Sequence, residues 1–146
     1  IRPTEQQVRL LKELGTTATI LVALVDGRGA NPDHRYLGSA GFAKGNIGEY
    51  DASVELLNRA DQTPGHGLEQ SKPWYALARA VARLEKAKLA DPAKPVKLSA
   101  PPEAKADLDA ARKSPEIAGI TNELINKTSL EPEDLFQSCL WEFVRP

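Results

Sequence analysis

Asp26-Gly27-Arg28-Gly29 places a carboxylate and a guanidinium on a glycine-flanked turn, and the glycine-rich stretch Gly38-Ser39-Ala40-Gly41-Phe42-Ala43-Lys44-Gly45 follows soon after. Glycines at this density mark tight, shaped backbone, and without Cβ they let a polymeric ligand approach the main chain closely. A carboxylate on such a turn reaches a groove that a helix-borne one does not, which makes Asp26 a candidate catalytic base. The plainer reading is that Asp26 caps the turn and Arg28 pairs with it.

The second stretch continues through Asn46 and Ile47 to Gly48, one residue longer before its last glycine than the pattern G-x-x-G-F-x-x-G-x-G. D-G-R-G followed by that pattern resembles the N-terminal part of the glycoside hydrolase family 46 chitosanases. The similarity is specific over Asp26 to Gly48 and loose elsewhere. Tyr50 to Arg59 occupies the place of the family's next helix, and Asp107 to Gln137 is loosely similar to its acidic, Ala-rich helical stretch.

What the resemblance implies is a mainly α, lysozyme-like helical domain with a small β-hairpin, here lacking the usual second lobe. It implies secretion, and hydrolysis of a β-1,4-linked amino-sugar polymer such as chitosan with inversion at the anomeric carbon. In that family a Glu upstream of D-G-R-G is the general acid and the Asp is the base that activates water. The match therefore puts Asp26 in the base role and Glu13, followed by Leu14-Gly15-Thr16-Thr17, in the acid role. Such a pair needs its carboxyls roughly 6.5–9.5 Å apart. Arg28 would orient or tune Asp26. A cationic polymer favours carboxylates along its groove, so Asp33 and Glu49, with Tyr36, complete the candidate substrate-binding set. Two departures from the family stand out. The interval from Glu13 to Asp26 is shorter, and Pro32-Asp33-His34-Arg35 is inserted between Gly29 and Gly41, in the wall of the implied cleft.

Two readings compete with hydrolysis. One is a non-catalytic relative that binds a polysaccharide or a protein partner. The other is a helical interaction protein in which D-G-R-G is only a turn.

Composition narrows the partners. The chain has 146 residues, of which 41% are hydrophobic and 27% charged, and a formal net charge of −1, so it carries no basic footprint for nucleic acid. Its longest apolar run, Ala18 to Val25 interrupted by Thr19, is far short of the roughly 20 residues of a membrane span. No basic-then-apolar leader opens the sequence at Ile1, as expected of a mature or trimmed product. No cofactor and no metal site is expected: His34 and His66 lack companions at ligand spacing and suit surface or hydrogen-bonding roles. The single Cys139 reads as a buried thiol beside Leu135, Phe136 and Phe143. Asn126-Lys127-Thr128 is a glycosylation sequon, which matters only on a eukaryotic secretory route.

The elements that must position these residues form one domain over 1–146. Thr4 caps a first helix carrying Val8, Leu11 and Leu14 and ending near Gly15, with Glu13 in its last turn. Ala18 to Val25 is a buried helix or a core strand, and periodicity does not separate the two. Tyr36 to Phe42 suits a hairpin edge. Ser71-Lys72-Pro73 opens the clearest helix, with Trp74, Leu77, Val81 and Leu84 inward and Arg79, Arg83 and Lys86 on the other face. A Pro-rich connector follows at 91–102. Helices are then predicted over Glu103 to Arg112, from Ser114-Pro115-Glu116 onward with Ile117, Ile120 and Leu124, and from Pro132 with Leu135, Phe136, Leu140 and Phe143.

Overall fold

A computed structural model describes residues 4–90 and 102–126, and every residue described as part of a regular element is helical. Among the described residues there are six helices: α1 Glu5–Gly27, α2 His34–Asn46, α3 Tyr50–Gln62, α4 Leu68–Ala90, α5 Pro102–Arg112 and α6 Pro115–Asn126. The mainly helical expectation holds, and the β-hairpin does not. Residues 91–101 of the connector, Cys139, the helix expected from Pro132 and the sequon beyond Asn126 lie outside the described residues.

α1 does not end near Gly15. It runs on through Ala18 to Val25, which settles that segment as helix. A glycine inside a helix costs only about 1 kcal/mol relative to alanine, too little to stop one that continues into apolar sequence. The stop comes at Gly29, whose φ of 71° is left-handed. Its N–H donates to the Asp26 carbonyl at 3.0 Å, and the Ala30 N–H donates to the Val25 carbonyl at 3.2 Å. This pair of bonds is the Schellman cap. D-G-R-G is thus the closing signature of a helix. Gly48 repeats the device after α2, with a φ of 87°, its N–H to the Gly45 carbonyl at 3.2 Å and the Glu49 N–H to the Lys44 carbonyl at 2.9 Å.

The expected hairpin at Tyr36 to Phe42 is the body of α2. Asp33 starts this helix by accepting from the Arg35 N–H at 2.8 Å, so the Pro32-Asp33-His34-Arg35 insertion is a helix start and not a cleft wall. Gly38 and Gly41 serve close approach between helices. A Cβ on Gly38 would lie 2.3 Å from Cε1 of Tyr75 in α4, and one on Gly41 would lie 2.7 Å from Cγ of Leu57 in α3. The Ser53 hydroxyl of α3 donates to the Gly41 carbonyl at 2.6 Å, a bond that only a close-packed pair of backbones permits.

α4 is the central helix, packed against α2, α3, α5 and α6. It begins at Leu68, a turn before Ser71, and contains Pro73. Residues 75–82 are all buried, and the core gathers Tyr75, Leu77, Val81 and Leu84 around Phe42, Leu57, Leu108 and Ile117. Trp74 is partly buried against that core. Arg79 and Arg83, expected on the outward face, turn into the α3–α4–α5 junction instead. Arg79 reaches Asp61 at 3.3 Å, Asn58 at 3.1 Å and Asp107 at 3.1 Å, and Arg83 pairs with the other Asp107 oxygen. Burial pushes the Asp107 carboxyl above its ordinary range, with Arg79 and Arg83 opposing that shift.

Candidate functional site

Asp26 lies in the last turn of α1, and its partner is Arg59 of α3, not Arg28. Arg59 Nη2 donates to Oδ1 at 2.8 Å and Nη1 to Oδ2 at 3.1 Å, a two-pronged fit of guanidinium to carboxylate. This hydrogen bonding holds the Asp26 carboxyl below its ordinary value. A carboxylate held as a firm anion by a two-pronged arginine is a weak proton acceptor, whereas a general base works best with a value near the operating pH.

Glu13 sits on the same helix, thirteen residues before Asp26, and is exposed. At 1.5 Å rise and 100° per residue, the two positions lie about 20 Å apart along the axis and about 140° apart around it. α1 therefore holds them well outside the range of an inverting pair. The remaining candidates are dispersed. Arg28 lies exposed in the cap after α1. Asp33 is occupied with Arg35, whose hydrogen bond lowers its carboxyl. Tyr36 is exposed on α2, and Glu49 pairs with Lys44 at 2.8 Å. Two surface depressions, one lined by Tyr50, Asp51, Val54, Ala82, Arg83 and Lys86 and the other by residues between Glu69 and Glu116, contain neither Glu13 nor Asp26.

Of the surface or hydrogen-bonding roles expected for the histidines, His34 takes the second. His34 is buried at the start of α2. Its Nε2 lies 2.7 Å from the His66 carbonyl, which can only accept, so Nε2 carries the hydrogen. Nδ1 lies 2.8 Å from the Tyr75 hydroxyl, and that hydroxyl also lies 3.1 Å from the His34 carbonyl. Burial pushes the Tyr75 phenol upward and keeps it a donor. This contact pins α2 to α4 and to the turn before α4. The sequence offers no local signal for it.

α1 presents the other feature that the sequence did not disclose. Among its described side chains, the small Ala18 and Val22 are buried, while Leu10 is 52% exposed, Ile20 56%, Leu21 36% and Leu24 56%. Positions 10, 13, 17, 20, 21 and 24 recur at three- and four-residue steps and form one stripe, polar only at Glu13 and Thr17. The signal was present in the run from Ile20 to Val25, whose six consecutive apolar residues exceed one face of a helix.

No group of three metal-ligating side chains occurs among the described residues, and no described helix is long and apolar enough to cross a membrane. No family model, curated protein or solved structure matches the chain.

Proposed function

We propose that this chain is a non-catalytic helical module that docks a polypeptide partner along the outward face of α1. The observation that carries the reading is the row Leu10, Ile20, Leu21 and Leu24, which leaves on the order of 400 Å² of aliphatic surface in water, within the range of the largest apolar patch on a monomer, a patch that is often functional. An aliphatic row at helical spacing suits another polypeptide's apolar face. Sugar rings stack on flat aromatic faces, which this stripe lacks, so a polysaccharide is the weaker choice. The chitosanase-like, lysozyme-like relationship suggested by D-G-R-G and the glycines that follow has a local explanation in this reading, since one motif caps α1 and the other lets α2 approach its neighbours.

Two measurements test it. Reducing-end release from chitosan, chitin and peptidoglycan is expected to be absent; release that disappears in Asp26→Asn would overturn the non-catalytic reading. An apolar fluorescent dye at low protein concentration is expected to bind the native chain and to lose that binding in Ile20→Glu/Leu24→Glu, with helicity by circular dichroism unchanged. Dye binding indifferent to those substitutions would remove α1 as the docking face.

A further inference from the structure

We infer that the Asp26–Gly27 step is a site of spontaneous isoaspartate formation, held in check by Arg59 and released when the last turn of α1 opens. An aspartate isomerises when the backbone nitrogen of the next residue attacks its side-chain carbonyl carbon, and glycine, with no Cβ, leaves that approach unobstructed. Asp26–Gly27 is the single Asp-Gly step of the chain, which contains no Asn-Gly. Asp51 and Asp109 are also exposed, but each is followed by alanine. In the reaction the Gly27 nitrogen bonds to Cγ of Asp26, the bond from Cγ to the hydroxyl oxygen of the neutral carboxyl breaks, and the Gly27 proton leaves with that hydroxyl as water. Water then adds to the main-chain carbonyl carbon of Asp26 in the cyclic imide, and the bond from that carbon to the Gly27 nitrogen breaks. The main chain now runs through Cβ and Cγ, a carboxylate stands directly on Cα, and no mass is gained or lost.

The structure supplies both the restraint and its release. Hydroxide leaves from a neutral carboxyl far more readily than oxide leaves from a carboxylate, and Arg59 grips both Asp26 oxygens, at 2.8 and 3.1 Å, in the ionised form. The Gly27 nitrogen is committed to the ladder of α1, so attack also requires the turn to unwind. Unwinding is cheap at this place: Gly27 is the final residue of α1, residues 26–31 are all exposed, and helix ends open at little free-energy cost. Isomerisation then removes both attachments at this end of the helix. The carbonyl that accepts the Gly29 N–H at 3.0 Å leaves the main chain, and the carboxylate on Cα no longer makes the forked fit to Arg59. The modification therefore frees the end of α1 from α3 on the time scale of slow chemical ageing.

Prolonged incubation of the full chain near neutral pH, followed by tryptic mapping of the peptide from Glu13 to Arg28, tests the proposal. Isoaspartate leaves the peptide's mass unchanged, shifts its elution and accepts a methyl group from an isoaspartate-specific carboxyl methyltransferase. The native chain is expected to accumulate it at Asp26 and not at Asp51 or Asp109, more slowly than the same chain unfolded in urea. Arg59→Ala is expected to raise the native rate about two- to fivefold, the effect of losing an exposed ion pair. Arg59→Lys, which keeps the charge and loses the fork, is expected to fall between the two. Gly27→Ala, whose Cβ meets nothing within 4 Å, is expected to keep its helicity by circular dichroism and to drop to the rate of Asp51. A native chain that forms no isoaspartate while the urea-unfolded chain does would overturn release at the end of α1. A native rate equal to that in urea, or indifferent to Arg59→Ala, would overturn the restraint, and should Arg59→Ala lose helicity, Arg59→Lys decides this point alone. Isoaspartate that persists in Gly27→Ala would overturn the site.

Discussion

Asp26 shows how a residue singled out for its chemistry is spoken for by its surroundings. Its carboxyl is held low by the hydrogen bonds from Arg59. A lowered folded-state value means that the contribution of this pair to stability is present above the ordinary aspartate value and is lost as pH falls through the folded one. Carboxyl-detected NMR titration is therefore expected to place Asp26 below its ordinary value of 3.8, and Arg59→Ala to return it there. An unchanged titration in the variant would assign the shift elsewhere. Nothing near Asp26 in sequence announces Arg59, which lies 33 positions away, so Arg28 was the natural partner to infer. The same distance effect hid His34, whose enclosure depends on Tyr75, 41 positions on. The candidate site was legible as residue types with chemical potential; which of them meet is decided by helix packing, and α1 keeps Glu13 and Asp26 apart.

Helices were legible where apolar positions recur and a stop or start is local. Tyr50 to Arg59 lies within α3, and Glu103 to Arg112 and the Ser114-Pro115-Glu116 start match α5 and α6 closely. α2 was misread because glycine signals both a turn and a close approach, and the choice between them rests on side chains from α3 and α4. Two substitutions separate these uses. Gly38→Ala is expected to cost roughly 2–3 kcal/mol in urea unfolding, because the new methyl would meet the buried Tyr75 ring at 2.3 Å and that ring has no room to move. Gly119→Ala in α6, where a Cβ meets nothing within 4 Å, is expected to gain up to about 1 kcal/mol from helix propensity alone. Equal effects at the two positions would contradict the packing role of Gly38.

At the scale of the molecule, α3, α4 and α5 are tied through Arg79 and Asp107, whereas α1 hangs from α2 with the Asp26–Arg59 pair at its end. The Arg79 and Asp107 side chains are only 11% and 12% exposed, so the pair is shielded from solvent. Arg79→Ala is expected to lower unfolding free energy by about 3 kcal/mol, since it leaves Asp107 buried with Arg83 alone. Lys86→Ala, which removes an ion pair to Asp51 with side chains 60% and 84% exposed, is expected to stay within about 0.5 kcal/mol. Comparable losses would show that the junction is not what holds these helices together. Among the described helices, the packing of α1 against α2, with the Asp26–Arg59 pair to α3 at its end, also divides the protein's cooperativity. Among the described residues, peeling α1 away surrenders two small core side chains, Ala18 and Val22, while the cluster around Tyr75 and Leu77 stays closed. α1 then forms a subglobal unit whose amides exchange with solvent at a lower free energy than those of α4. Any partner that covers its outward stripe would raise that opening energy by mass action, and so would complete the folding of the helix it grips.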